Sequence, residues 1–272
     1  MRIDTTGKHL DDMVALSTGL AGHLTEREVR FLSLCAMTLP PGLGEILEIG
    51  SFKGKSTTLL AKSVAFSGGD RVVAVDPLNL PAPTDPTDSH PEVLPEQFWT
   101  TLDTNSIRHI VEFHQMTSQE LAATWNRPLR MLWIDGDHTY AGAMSDIESF
   151  SRHLSIGSIV ALHDVLHGHE GPIRAFCERV LLSDAFGPCG VCGSIGWAQR
   201  VGKPVAEKYT SRKLRLYSKL SRLVRFVALN RSPSRSGRSV YMLLRSLVPH
   251  GEVNPTLWQS EIKQNMPDMG SS

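Results

Sequence analysis

Short apolar runs alternate along this chain with longer stretches whose apolar residues return every three or four positions. EILEIG (45–50), RVVAVD (71–76), HIVEFHQM (109–116), LRMLWID (129–135) and SIVALHD (158–164) are too short for buried helices and predict strands. Helical spacing is found over 24–39, 56–66, around 98–107 and over 140–154. The first of these has Thr25 as its cap, Glu28 three residues on as in a capping box, and Pro40-Pro41 as its stop. A Pro-rich loop, 77–95, interrupts the alternation. Strands separated by helices imply right-handed crossovers, and so an α/β, doubly wound, parallel sheet.

Ligands of such sheets sit beyond the C-terminal ends of the strands. The residues found there are Gly50-Ser51-Phe52-Lys53-Gly54, Asp76, Thr117-Ser118, Asp135-Gly136-Asp137-His138 and His163-Asp164. LEIGSFKGKST comes close to a phosphate-binding P-loop, which needs four residues between its first Gly and the Gly-Lys-Ser/Thr. Only three stand between Gly50 and Gly54, too few to wrap a phosphate in consecutive N–H groups, so a nucleotide triphosphatase is disfavoured. The alternative is a glycine turn that lets backbone approach a nucleoside, with Asp76 placed to accept from ribose hydroxyls.

LEIGSFKGKSTTLLA, VVAVDP, LWIDGDHTYAGAMSDIESF and GSIVALHDV, in that order and spacing, resemble the class I S-adenosylmethionine-dependent methyltransferases. The likeness is to the branch containing macrocin O-methyltransferase-like enzymes and, more distantly, cephalosporin hydroxylase-like proteins. It covers roughly residues 41–200 and implies a Rossmann-like, mostly parallel seven-stranded sheet whose antiparallel last strand is GSIGWAQR. It places S-adenosylmethionine at Glu48, Gly50, Ser51, Gly54, Asp76, Ser118 and Asp135. It also implies a magnesium-type divalent cation on Asp135 and Asp164, with His163 at a neighbouring ligand position that is often acidic. Imidazole suits softer transition ions better than magnesium, so His163 departs from the pattern. The base falls on Asp137 and His138. An imidazole with an ordinary pKa of about 6.5 suits proton removal near neutrality, and Asp137 would orient it; the plainer role for both residues is to cap the next helix.

Other chemistry-bearing residues have simpler readings. His167, His169 and Glu170 read as a solvated loop, and Cys189-Gly-Val-Cys192 as a turn before the last strand. Phe98, Trp99 and the Pro-rich loop could roof an acceptor, or serve hydrophobic packing.

Composition narrows the classes. The 272 residues are 41% hydrophobic and 21% charged, which excludes collagen-like, coiled-coil and wholly disordered chains. Four cysteines do not make a disulfide framework and favour a reducing compartment. No run approaches the roughly 20 apolar residues of a membrane span, and MRIDTTGKHLDD lacks the apolar core of a secretory signal. The expected location is cytoplasmic.

A formal net charge of zero hides an asymmetry. Residues 201–250 hold 12 Lys and Arg against one acid, Glu207, and the rest of the chain carries the balancing excess of acid. Over 212–227, Leu216, Leu220, Leu223, Val224 and Val227 share one helical arc, and Arg212, Arg215, Lys219, Arg222 and Arg225 the opposite one. RSPSRSGRS (231–239) reads as a break and SVYMLLRSLV as a second apolar stretch. Such a helix packs on its own domain or on a second copy in a homo-oligomer, docks peripherally on an anionic membrane, or contacts nucleic acid.

The organisation read from the sequence is therefore a helical segment over 1–40, a catalytic domain over 41–200 and a basic helical extension over 201–272. The expected activity is O-methylation of a hydroxyl on a small molecule or glycan, metal-assisted. Two alternatives are a nucleic-acid methyltransferase and a non-catalytic S-adenosylmethionine-binding protein. The former typically carries Asn/Asp-Pro-Pro-aromatic after the fourth strand, where this chain has Asp135-Gly136-Asp137-His138.

Overall fold

The structure, a computed structural model, describes residues 5–69, 71–78, 93–229 and 235–267. Helices α1 (Thr5–Ser17) and α2 (Glu26–Thr38) precede strand β1 (Glu45–Ile49), α3 (Lys55–Phe66) and β2 (Val72–Val75). Next come α4 (Leu94–Thr104), β3 (Val111–His114), α5 (Ser118–Ala122), β4 (Leu129–Ile134), α6 (Tyr140–Phe150) and β5 (Leu154–Leu162). Helix α7 (Glu170–Ala175) runs into a π-helical turn, Phe176–Leu181, before β6 (Phe186–Cys192) and β7 (Ile195–Arg200). The chain closes with α8 (Lys203–Lys208), α9 (Thr210–Leu229), α10 (Arg235–Ser246) and α11 (Pro255–Gln264).

One seven-stranded sheet has the order β3-β2-β1-β4-β5-β7-β6. Its first five strands are parallel, and β7 lies antiparallel to both β5 and β6. Strand order reverses between β1 and β4, which makes the ends of these strands the switch-point crevice. Successive strand residues serve opposite faces: in β4, Leu129, Leu132 and Ile134 join one core, while Met131 and Trp133 join the other. Both faces are covered by helices, so β1, β2 and β4 read as almost unbroken apolar runs. Thr25 N–H donates to the Glu28 carboxylate at 2.8 Å, closing the capping box expected at the start of α2.

The structure corrects several sequence readings. Cys189 and Cys192 lie in strand β6, not in a turn. Residues three apart on a strand point to opposite faces, and the two thiols belong to different core clusters, so they cannot share a metal or a disulfide. Burial pushes both thiols up, to about 11 and about 12. Phe98 roofs nothing; it is fully buried against Trp99 and Phe113. Most of the Pro-rich loop, 79–92, lies outside the described residues, as does part of the expected break, 230–234. Arg235 to Ser239 of that break belong to α10.

The structure also decides among the readings left open for the apolar arc of the basic segment. Leu216, Leu220, Leu223 and Val227 of α9 are buried in one core, and Trp258 and Ile262 of α11 in the other. Lys213 donates to the Ser183 and Phe186 carbonyls at 2.6 and 2.9 Å, and Arg212 pairs with Glu261. Residue 200 ends the sheet but not the core. The apolar arc of 212–227 faces protein, so that arc is not open to a membrane.

Candidate active site

β1 delivers the chain to a turn that only glycine can make. Gly50 has φ 88°, and a Cβ there would stand 2.2 Å from the Asp135 carbonyl oxygen. The missing side chain lets the loop after β1 press against the loop after β4. Gly54, at φ 85°, turns the chain into α3. Between them, the N–H groups of Ser51 and Phe52 donate to Asp76 Oδ2 at 2.8 and 2.9 Å, and Leu78 N–H donates to Oδ1 at 2.8 Å. A carboxylate, not a phosphate, organises this loop. Phe52 takes a left-handed backbone, φ 44°, as does Asp164 at φ 58°, and both line the same cavity.

That cavity, about 960 Å³, opens at the C-terminal ends of the parallel strands. Gly50, Ser51, Asp76, Ser118, Asp135, Asp137, His138, His163 and Asp164 all lie on its wall. Glu48 does not. It is fully buried beneath the glycine loop, where Ser51 and Thr57 hydroxyls donate to its Oε2 at 3.2 and 2.5 Å. Burial pushes its pKa from the ordinary 4.5 to about 7. Gly54 shapes the loop from behind, facing Phe98 and Thr101.

The ends of β4 and β5 bring a charged cluster together. His163 Nδ1 stands 3.0 Å from Asp135 Oδ1 and 3.2 Å from Asp164 Oδ1, and its Nε2 is 3.7 Å from Glu28 Oε2. Burial would lower the His163 pKa, but Asp135, Glu28 and Asp164 outweigh it and hold it well above 6.5. Burial would likewise raise Asp135, yet His163 and His138 bring it down to about 2. His138 Nε2 lies 3.2 Å from Asp164 Oδ2, and its ring stacks on His169 with centroids 4.8 Å apart. The loop holding His169 is thus part of the site rather than merely solvated. Asp137 serves the start of α6: Thr139 N–H and Oγ1–H both donate to it at 2.8 Å, and Thr139 caps the helix through Gly142 N–H.

Glu28, Asp146 and Arg245 are among the cavity residues that escaped the sequence reading. Glu28 was visible only as a capping residue, yet it accepts from Ser194 N–H and Oγ–H at 2.6 Å each and faces His163. Asp146, deep in α6, accepts from Ser118 Oγ at 2.5 Å, and burial pushes it up to about 6. Arg245 reaches the cavity from α10. Their signals are helical positions far from the strand ends, and spacing alone does not show which face of a helix meets a ligand.

Comparison with known families agrees with this geometry. Residues 47–165, from within β1 to just beyond β5, match the family model described as a methyltransferase domain. Over this span the chain is similar to that methyltransferase family. Its fold is similar to that of the O-methyltransferase NovP, at 14% identity and TM-score 0.55 over 72% of this chain and 97% of that one. It is also similar to an O-methyltransferase from Bacillus cereus in complex with SAH, at 20% identity and TM-score 0.50 over 74% and 93% of the two chains. A third likeness is to cofactor-bound Rv0187 from MTB, at 18% identity and TM-score 0.51 over 74% and 91%.

Within the cavity the donors of Asp135, His163 and Asp164 lie within 4.8 Å of one another, as do those of His138, Asp164 and His169. Two carboxylates and an imidazole form a coherent donor set for a divalent cation, with the imidazole favouring a softer ion than magnesium.

Proposed function

We propose that the methyltransferase domain binds S-adenosylmethionine in the 960 Å³ cavity and methylates a hydroxyl of a small molecule or glycan. One observation carries this reading: the glycine turn, Asp76 and the His138–Asp164 pair converge on a single cavity at the switch point of a parallel sheet. The cavity beside the glycine turn and the carboxylate of Asp76 fit the ribose recognition that a nucleoside needs. Ser118 and Asp146, on the β3 and β4 side, offer hydroxyl and carboxyl partners to the adenine amino group. Bound S-adenosylmethionine supplies a sulfonium methyl that an acceptor oxygen can take by in-line displacement.

The residues of the chain do the rest. His138, held by Asp164, removes the hydroxyl proton as the oxygen attacks. Alignment of the two reactants on the rigid ends of β1, β2, β4 and β5 contributes much of the acceleration. Asp135, His163 and Asp164 would hold a divalent cation, which would orient and acidify the acceptor hydroxyl. The names of the similar structures support an O-methyl transfer, two being called O-methyltransferases and one of these carrying SAH.

Calorimetric titration tests the cofactor assignment: S-adenosylmethionine binds with unit stoichiometry, and Asp76→Ala weakens it by on the order of 1–3 kcal/mol. Unchanged affinity in that variant would move the ribose site elsewhere. An acceptor screen with and without chelator then separates metal-assisted from metal-free transfer, and turnover on oligonucleotides alone would overturn the small-molecule reading.

A further inference from the structure

The cavity leaves one surface of the molecule unaccounted for. α10 turns Tyr241 and Leu244 inward onto the core, with the Tyr241 hydroxyl donating to the Leu166 carbonyl at 2.7 Å. On its outer side Val240, Leu243 and Leu247, at i, i+3 and i+7, form a stripe that is 44%, 64% and 47% exposed. Arg235 and Arg238 of the same helix are exposed, as are Arg215, Arg222 and Arg225 of α9, against which α10 packs. From Lys208 to Gly251 the chain has 11 Lys and Arg and not one Asp or Glu.

We propose that α10 docks on an anionic lipid surface, sinking the Val240–Leu243–Leu247 stripe among the acyl chains while the surrounding arginines meet lipid phosphates. The chemistry selects this occupant. A second copy seated on the stripe about a two-fold axis would bring the basic segment against itself, with no acid to relieve the repulsion. Nucleic acid would neutralise the arginines but leave the leucines in water. An anionic bilayer satisfies both sets of side chains at once. α10 also supplies Arg245 to the cavity wall. This assignment is independent of the proposed methyl transfer.

The test is co-sedimentation of the full chain with vesicles of phosphatidylcholine alone and of phosphatidylcholine mixed equally with phosphatidylglycerol. The protein is expected on the anionic vesicles only, with binding that falls steeply between about 0.05 M and about 0.5 M salt. Leu243→Ser/Leu247→Ser and Arg235→Gln/Arg238→Gln should each weaken binding by about tenfold or more, with melting temperatures like the parent because all four residues are exposed. Three results would overturn the proposal. One is absence of binding to anionic vesicles at low salt. Another is undiminished binding by the folded serine variant. The third is a parent that sediments as a dimer and a serine variant that is monomeric, which would assign the stripe to a second copy.

Discussion

Glu48 carries its proton differently from an ordinary carboxyl because water cannot reach it. Its pKa in the folded chain is raised to about 7, so the folded state binds the proton more tightly than the unfolded one. The cost of ionising it is absent below about pH 4.5, grows through the window up to about 7 and is full above it. Glu48→Gln keeps acceptors for Ser51 and Thr57 and removes that cost. The variant is expected to match the parent near pH 4.5 and to exceed it near pH 8 by on the order of 2 kcal/mol, read as a melting-temperature difference that widens with pH. A constant difference would show that Glu48 is not the titrating group. His138 lies on the cavity wall against Asp164, and His138→Ala should cut turnover by about 10²-fold or more while S-adenosylmethionine affinity stays nearly unchanged. Equal losses of both would make it a binding residue.

Two elements depend on single positions. The loop from β1 to α3 exists in this form because Gly50 has no Cβ to strike Asp135. Gly50→Ala must shift one of the two loops, and a loss of about 2–3 kcal/mol with impaired cofactor binding is expected from denaturant unfolding and calorimetry. In α9, the buried Lys213 ammonium ties the helix to the turn before β6 through two carbonyls. Lys213→Met keeps the aliphatic bulk and leaves both carbonyls unpaired, so stability should fall by about 1–3 kcal/mol with m-value unchanged. An unaffected midpoint would show that water replaces the ammonium.

At the scale of the whole molecule, the segment after residue 200 is structural. It covers both faces of the sheet beside β6 and β7, with α9 on one side and α11 on the other. Deleting everything after Val201 would remove Leu220, Leu223, Trp258 and Ile262 and uncover the core they pack on, including Phe31 and Trp197, which are 1% and 2% exposed in the intact chain. The truncated protein is expected to be insoluble or aggregated on size-exclusion chromatography. A soluble, cofactor-binding fragment of residues 1–201 would mean that the sheet closes without these helices. Among the described residues no helix is long and apolar enough to cross a membrane.

The parallel sheet and the place of its crevice were legible in the chain because they rest on local properties. Strand and helix periods repeat over a few residues, and each strand end carries its own marker: Gly50, Asp76, Asp135 or Asp164. What local pattern cannot contain is which helical face meets which neighbour. Glu28 reads as a cap in the sequence and becomes a partner of His163 only when α2 packs beside β5 and the β6–β7 turn. Glu48 looks like a cofactor ligand by position, yet the sheet's pleat turns it under the loop. The amphipathic pattern of 212–227 shows that one arc must be covered and leaves open by what. Tertiary structure covered that arc with the protein's own core and left α10's stripe in water instead, because burial is settled by the sum of all surfaces that meet, which no single segment encodes.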